Sequence, residues 1–109
     1  MEIEELTSRS EDVAGYLKVL ANPSRLLILC ELNGTERSVS SLEASVGLTQ
    51  SALSQHLAKL RESGIVATRR DAQTIYYRLA DPKAERIMAT LYDIFCAPHA
   101  ARKAVKGKG

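Results

Sequence analysis

The chain is 109 residues long, 45% apolar and 26% charged, with a formal net charge of +2. That composition belongs to a soluble globular protein, and the length to one small domain of the kind that often completes its burial against a partner subunit. No apolar run approaches the roughly 20 residues of a membrane span and no signal peptide opens the chain, so the expectation is a cytoplasmic protein with no membrane partner.

The net charge is too small to prove a nucleic-acid partner, but it is unevenly placed. Residues 1–12 carry one basic and five acidic groups, a balance of −4, which leaves +6 on residues 13–109. This acidic start is expected to be frayed. Val13, Tyr16, Leu17 and Leu20 then mark a first amphipathic helix. Asn22-Pro23 stops the chain and restarts it, with Asn as N-cap and Pro at the first helical position. Leu26, Leu27, Ile28, Leu29, Cys30 and Leu32 make the second helix apolar almost all round, which predicts burial, and Gly34 closes it with a left-handed C-cap. Ser40-Ser41-Leu42-Glu43 reads as a capping box opening a short third helix, with Leu42 and Val46 inward and Gly47 at its end.

Thr49 is the N-cap of a fourth helix, TQSALSQHLAKL, around which the rest is organised. Leu53, Leu57 and Leu60 recur at i, i+4 and i+7 and turn one stripe to the core. Ser51, Gln55 and Ala58 stand opposite, with Ser54 and Lys59 at the edges and His56 near the core boundary. No acidic group interrupts that face, and its polar groups are short or forked, as close contact with another surface requires. Gln55 has the geometry to address an adenine edge bidentately, the serines suit bases or phosphates, and Ala58 permits close approach. Together with the third helix and the Gly-containing turn this is a helix-turn-helix unit.

After Gly64 the period changes to two. Ile65–Arg70 and Thr74–Leu79 are predicted strands joined at Asp71-Ala72-Gln73, and the basic pair Arg69 and Arg70 makes the hairpin a wing for a nucleic-acid backbone. Asp81-Pro82 starts a last helix that runs to about Cys96, where Pro98 bars continuation. Its apolar set, Ala84, Ile87, Met88, Leu91, Ile94 and Phe95 with Tyr92 alongside, exceeds what so small a core needs. The surplus predicts a dimer interface made with the first helix, drawing on Tyr16, Ile87, Met88, Leu91, Ile94 and Phe95. The expected architecture is mainly α with a β-hairpin: a homodimeric winged helix-turn-helix of four helices, two strands and a fifth helix. It forms a single domain over 1–109, ordered from about 9 to 98, with a disordered basic tail at 99–109.

The order of helices, the run SALSQHLAKLRESGIV and the wing resemble the ArsR/SmtB family of winged-helix bacterial repressors over roughly residues 13–96. Within that span LANPSRLLILCEL, QSALSQHLAKL, RRDAQTIYYRLAD and LYDIFC resemble the branch that senses sulfide-derived persulfides and related oxidants through two cysteines. The resemblance implies a dimer whose two recognition helices read adjacent major grooves of an imperfect inverted repeat, about 34–36 Å between half-site centres. It implies DNA contacts from Gln50, Ser51, Ser54, Gln55, His56 and Lys59 on the helix and from Arg69, Arg70 and Gln73 on the wing. Cys30 and Cys96 match the branch's two sensing positions, with reactive sulfur species as inducer.

Taken from periodicity alone, the same two cysteines look like small buried hydrophobes. Both lie near helix C-termini, where the macrodipole disfavours a thiolate. They form no CxxC pair, and in a cytosolic protein they rest as thiols. A direct disulfide needs Cα atoms about 4.4–6.8 Å apart, whereas a chain of sulfurs spans more, so sulfur insertion would separate persulfide from plain oxidation by geometry. No cofactor or metal is expected: the third helix, Val39–Val46, has no cysteine ligands, and Asp93 and His99 fall short of a closed zinc site of about four. Rival readings on the same fold are a soft-metal or As(III) sensor using both cysteines, and an activator that counters silencing. An enzyme is not expected, since the chain lacks CxxC, a paired histidine base and a cofactor loop.

Overall fold

A computed structural model describes residues 3–96. The expected basic tail at 99–109, and His99 with it, lie outside them. The elements run α1 (Ile3–Ser8), α2 (Ser10–Leu20), α3 (Pro23–Glu31), β1 (Arg37–Ser38), α4 (Val39–Val46), α5 (Gln50–Glu62), β2 (Val66–Asp71), β3 (Thr74–Leu79) and α6 (Pro82–Phe95). The acidic start is therefore helical rather than frayed. Glu4 and Glu5 sit in the first turn of α1, where negative charge suits the dipole, and the amide of Arg9 closes the turn on the carbonyls of Glu5 and Leu6.

Helices α2 and α3 meet at 79° across Ala21-Asn22. Asn22 caps α3 as the sequence predicts, its Oδ1 accepting from the Arg25 amide at 3.0 Å with Pro23 at the first helical position. Ile28, Leu29 and Leu32 are buried against α2, α4 and α5, but the far side of α3 is left uncovered by the described residues. There Leu27 is 42% exposed and Cys30 is open, so the all-round burial expected of this helix is not observed.

The capping box at Ser40 is also displaced. Arg37 and Ser38 pair with Tyr77 and Tyr76 of β3, and that pairing keeps the chain extended through Ser38. Ser38 is consequently the N-cap of α4, its Oγ accepting from the Ser41 amide at 3.1 Å. Gly47 ends α4 in the left-handed region (φ 69°), and Thr49 caps α5 by accepting from the Ala52 amide at 3.1 Å. The turn between the two helices is Gly47-Leu48-Thr49. Gly47→Ala is expected to cost about 1–2 kcal/mol, because only the backbone conformation resists a Cβ in otherwise open space. An unchanged urea midpoint would show that the turn is not held left-handed.

The sheet is three-stranded and antiparallel, in the order β1-β3-β2, so the hairpin has a third strand that sequence reading did not supply. Its first long strand begins at Val66 rather than Ile65. Asp71 pairs with Thr74, which leaves a two-residue loop, Ala72-Gln73, with Ala72 at φ 57°. Leu53, Leu57 and Leu60 of α5 meet Ile65 just ahead of β2, Val66 and Leu79 of the sheet, and Ala84 and Met88 of α6 in one core. Met88, expected on a dimer face, belongs to that core, and Ile87 and Leu91 pack against it half-buried. Asp81 caps α6 through the Lys83 amide (2.9 Å) and accepts a hydrogen bond from the Tyr16 hydroxyl (2.9 Å), fixing α6 to α2. No single helix among the described residues is long and apolar enough to cross a membrane.

Candidate nucleic-acid interface and thiol pair

The leucine stripe buries one side of α5, so the other side is what the fold offers to a partner. Gln50, Ser51, Ser54, Gln55, Ala58 and Lys59 are all exposed, and among the described residues none of these polar side chains is held by another protein group. His56 is half-buried and is held, its Nδ1 lying 3.2 Å from Arg25 Nη1. The helix-turn-helix unit is braced from below by Arg37. Its guanidinium donates to Ser41 Oγ (2.7 Å), Ser45 Oγ (2.7 Å) and the Glu31 carboxylate, tying β1, α4 and the end of α3 together.

The wing residues divide by face. Val66, Thr68 and Arg70 stand opposite Leu79, Tyr77 and Ile75. Ile75 and Tyr77 line a cleft of about 630 Å³ with Ser54, Leu57 and Ala58 of α5, so the register puts Arg70 on the side of the sheet that faces the recognition helix. Arg69 points the other way. Its guanidinium forks onto the Glu36 carboxylate (Nη2–Oε1 2.7 Å, Nε–Oε2 3.1 Å) and lies 4.5 Å from the Tyr76 ring centroid. The Arg69 hydrogen bond holds the Glu36 carboxyl below its usual range, and Glu36 in turn raises the guanidinium. Arg70 and Gln73 have no such partner among the described residues, and both are exposed.

The two thiols are free and both are exposed, against the reading of buried fillers that periodicity alone favours. Cys30 lies in the last turn of α3 and Cys96 is the C-cap residue of α6. Partial burial pushes the Cys30 thiol up, and the charges of Cys96 and Glu31 push it further. Cys30 therefore rests as a thiol at neutral pH. Among the described residues no three His, Cys, Asp or Glu side chains gather where they would hold a metal ion.

A family profile described as bacterial regulatory protein, arsR family, matches residues 22–68. The biofilm growth-associated repressor of Agrobacterium fabrum is 52% identical over 93 residues, which is 85% of this chain and 80% of that protein. The chain belongs to the arsR family of bacterial regulatory proteins. Among solved structures, the transcriptional repressor BigR from Xylella fastidiosa superposes on this ArsR-family regulator with a TM-score of 0.83 at 47% identity, covering 89% of this chain and 99% of that one. The transcriptional activator HlyU of Vibrio cholerae is 42% identical over 96 residues, 88% of this chain and 89% of that protein, and its reduced form superposes with a TM-score of 0.80. The fold is thus the winged helix of ArsR-family regulators, and these relatives are named as regulators of transcription or growth rather than as enzymes. Sequence reading of the regulator missed Arg25, Glu36 and Arg37. The partners of the first two, His56 and Arg69, lie 31 and 33 residues away, and no local period carries that information.

Proposed function

We propose that this ArsR-type regulator is a homodimeric repressor that holds an imperfect inverted repeat of double-stranded DNA through α5 and the wing. The supporting observation is the exposed face of polar side chains over residues 50–59 of α5, unpartnered among the described residues and with no acidic group before Glu62 at the far end of the helix, beside a hairpin that presents Arg70. Gln50, Ser51, Ser54, Gln55, His56 and Lys59 supply the helix contacts, and Arg70 and Gln73 those of the wing. Arg69 stands at the same tip, yet a phosphate contact would require its guanidinium to leave Glu36. Its part in this reading is to hold the wing against β1. Gln55→Ala is expected to relax discrimination at one base position by about 1–3 kcal/mol and to leave binding to random DNA unchanged. Equal loss on operator and random duplex would remove Gln55 from base reading.

The same proposal makes Cys30 and Cys96 the switch, with reactive sulfur species as inducer. One thiolate attacks an inner sulfur of a polysulfide and expels a shorter polysulfide, keeping a short sulfur chain on its own atom. The second thiolate attacks the middle sulfur of that chain, expels hydrosulfide and closes a trisulfide between α3 and α6. Two thiols are oxidised, the inducer is reduced, and two protons leave. What supports this is the placement of two free, exposed thiols, one in the last turn of α3, which packs on the recognition helix, and one at the C-cap of α6.

The 42% identity to a protein named as a transcriptional activator favours one second reading, in which the bound regulator raises expression. A promoter fusion in a deletion strain separates the two by sign: expression rises on deletion for a repressor and falls for an activator.

A further inference from the structure

Arg25, in the first turn of α3, sits where three helices meet. Its Nε donates to the carbonyl of Val19 and its Nη2 to that of Lys18 (3.5 Å), both in the last turn of α2. The amides of Ala21 and Asn22 already take the carbonyls of Leu17 and Leu20. Arg25 thus satisfies the two remaining carbonyls of a helix end that would otherwise lack partners. The third contact crosses to α5, where Nη1 lies 3.2 Å from Nδ1 of His56.

The direction of that hydrogen bond is fixed by chemistry. A guanidinium has five donors, no acceptor and no accessible neutral form, so Nδ1 of His56 must accept. A neutral imidazole whose Nδ1 accepts carries its proton on Nε2. Nε2 has no hydrogen-bond partner among the described residues, and no buried side-chain nitrogen or oxygen there lacks one, so Nε2–H reaches solvent. It does so on the helix whose exposed side carries Gln55 and Ser54.

We infer that Arg25 is a positioning residue that locks His56 in the Nε2–H tautomer, so that α5 presents at this position a single donor suited to an acceptor atom of the DNA duplex. The acceptor is either a base edge, such as guanine O6 or N7 or thymine O4, or a phosphate oxygen. The DNA-facing half rests on the reading of α5 given above, whereas the tautomer stands on the free protein alone.

The test begins with a long-range nitrogen–proton correlation spectrum of histidine-labelled, reduced protein at neutral pH. His56 should show one unprotonated Nδ1 and a protonated Nε2. Arg25→Met, which keeps an unbranched side chain but no donor, should give a mixture of both tautomers. A wild-type His56 protonated on Nδ1, or on both nitrogens, overturns the assignment without reference to any variant. On the operator, His56→Gln places an amide N–H near the position of Nε2–H, while His56→Asn reaches only the position of Nδ1. The glutamine variant should therefore bind about tenfold tighter than the asparagine variant. If that gap is confined to operator DNA the acceptor is a base edge. If it extends equally to random duplex, the acceptor is a phosphate. Equal operator binding by the two His56 variants overturns the donor role. Should Gln55→Ala also bind as wild type, the reading of α5 falls with it, while a pure Nε2–H spectrum would still stand.

Discussion

Leu17→Glu is expected to give a folded monomer whose affinity for the operator falls at least about a thousandfold, to the level of non-specific binding. The side chain is 47% exposed on α2, so a carboxylate there reaches water and leaves the core of the subunit intact. Val13 of α2 is exposed as well, and so are Tyr92, Ile94 and Phe95 in the last turn of α6, the last at 73%. A groove lined by Arg9, Asp12, Val13, Tyr16, Leu17, Lys83 and Ile87 joins the two helices. So much apolar surface at the ends of α2 and α6 is what a second copy would cover, and a pair of carboxylates buried at its centre would prevent that. An interface of this kind would draw on Tyr92, Ile94, Phe95, Val13 and Leu17 more than on Met88 or Leu91, which pack in or against the subunit's own core. In the proposed complex each subunit reads one half-site, so loss of the dimer would remove half of the contacts and the spacing that matches them to the repeat. Sedimentation should show the monomer mass with unchanged helical circular dichroism. A variant that remains a dimer and binds as wild type would place the interface elsewhere.

Sequence carried the recognition helix almost completely, because what defines it is local. Thr49 caps it within three residues, its leucines repeat at helical spacing, and Gly64 adopts the left-handed region just beyond its end (φ 75°). The same holds for the Asn22-Pro23 and Asp81-Pro82 starts. What failed depended on distant strands and helices. Ser40 looked like the cap of α4 because nothing near it announces that Ser38 will pair with Tyr76 of β3 and hold the chain extended. The wing arginines looked equivalent in sequence, and only the strand register separates Arg70, facing the cleft, from Arg69, which forks onto Glu36. Periodicity likewise marks Leu27 and Cys30 as apolar, but it does not say that α2, α4 and α5 all lie on the other side of α3. The exposure of both cysteines is the difference that matters most to the proposed switch, which would have to meet its inducer.

The proposed switch would give a role to the two exposed thiols at the ends of α3 and α6. A bridge would pull on α3, the helix that also carries Arg25 and its contact with His56, and on α6, whose exposed end belongs to the proposed dimer face. Each bridge is expected to shift operator binding by about 1.4 kcal/mol, a tenfold change, and a dimer forms two. Because burial and neighbouring charge raise the Cys30 thiol, release should also quicken as pH rises and its thiolate becomes available. The direct measurement is operator affinity before and after polysulfide, with the mass of the same samples. Wild type should lose about a hundredfold in affinity, gain whole sulfur atoms less two hydrogens per chain, and recover with a reductant. Cys30→Ser and Cys96→Ser should bind as the reduced wild type does and stay bound after treatment. A Cys96→Ser protein that polysulfide still releases would contradict the two-thiol bridge.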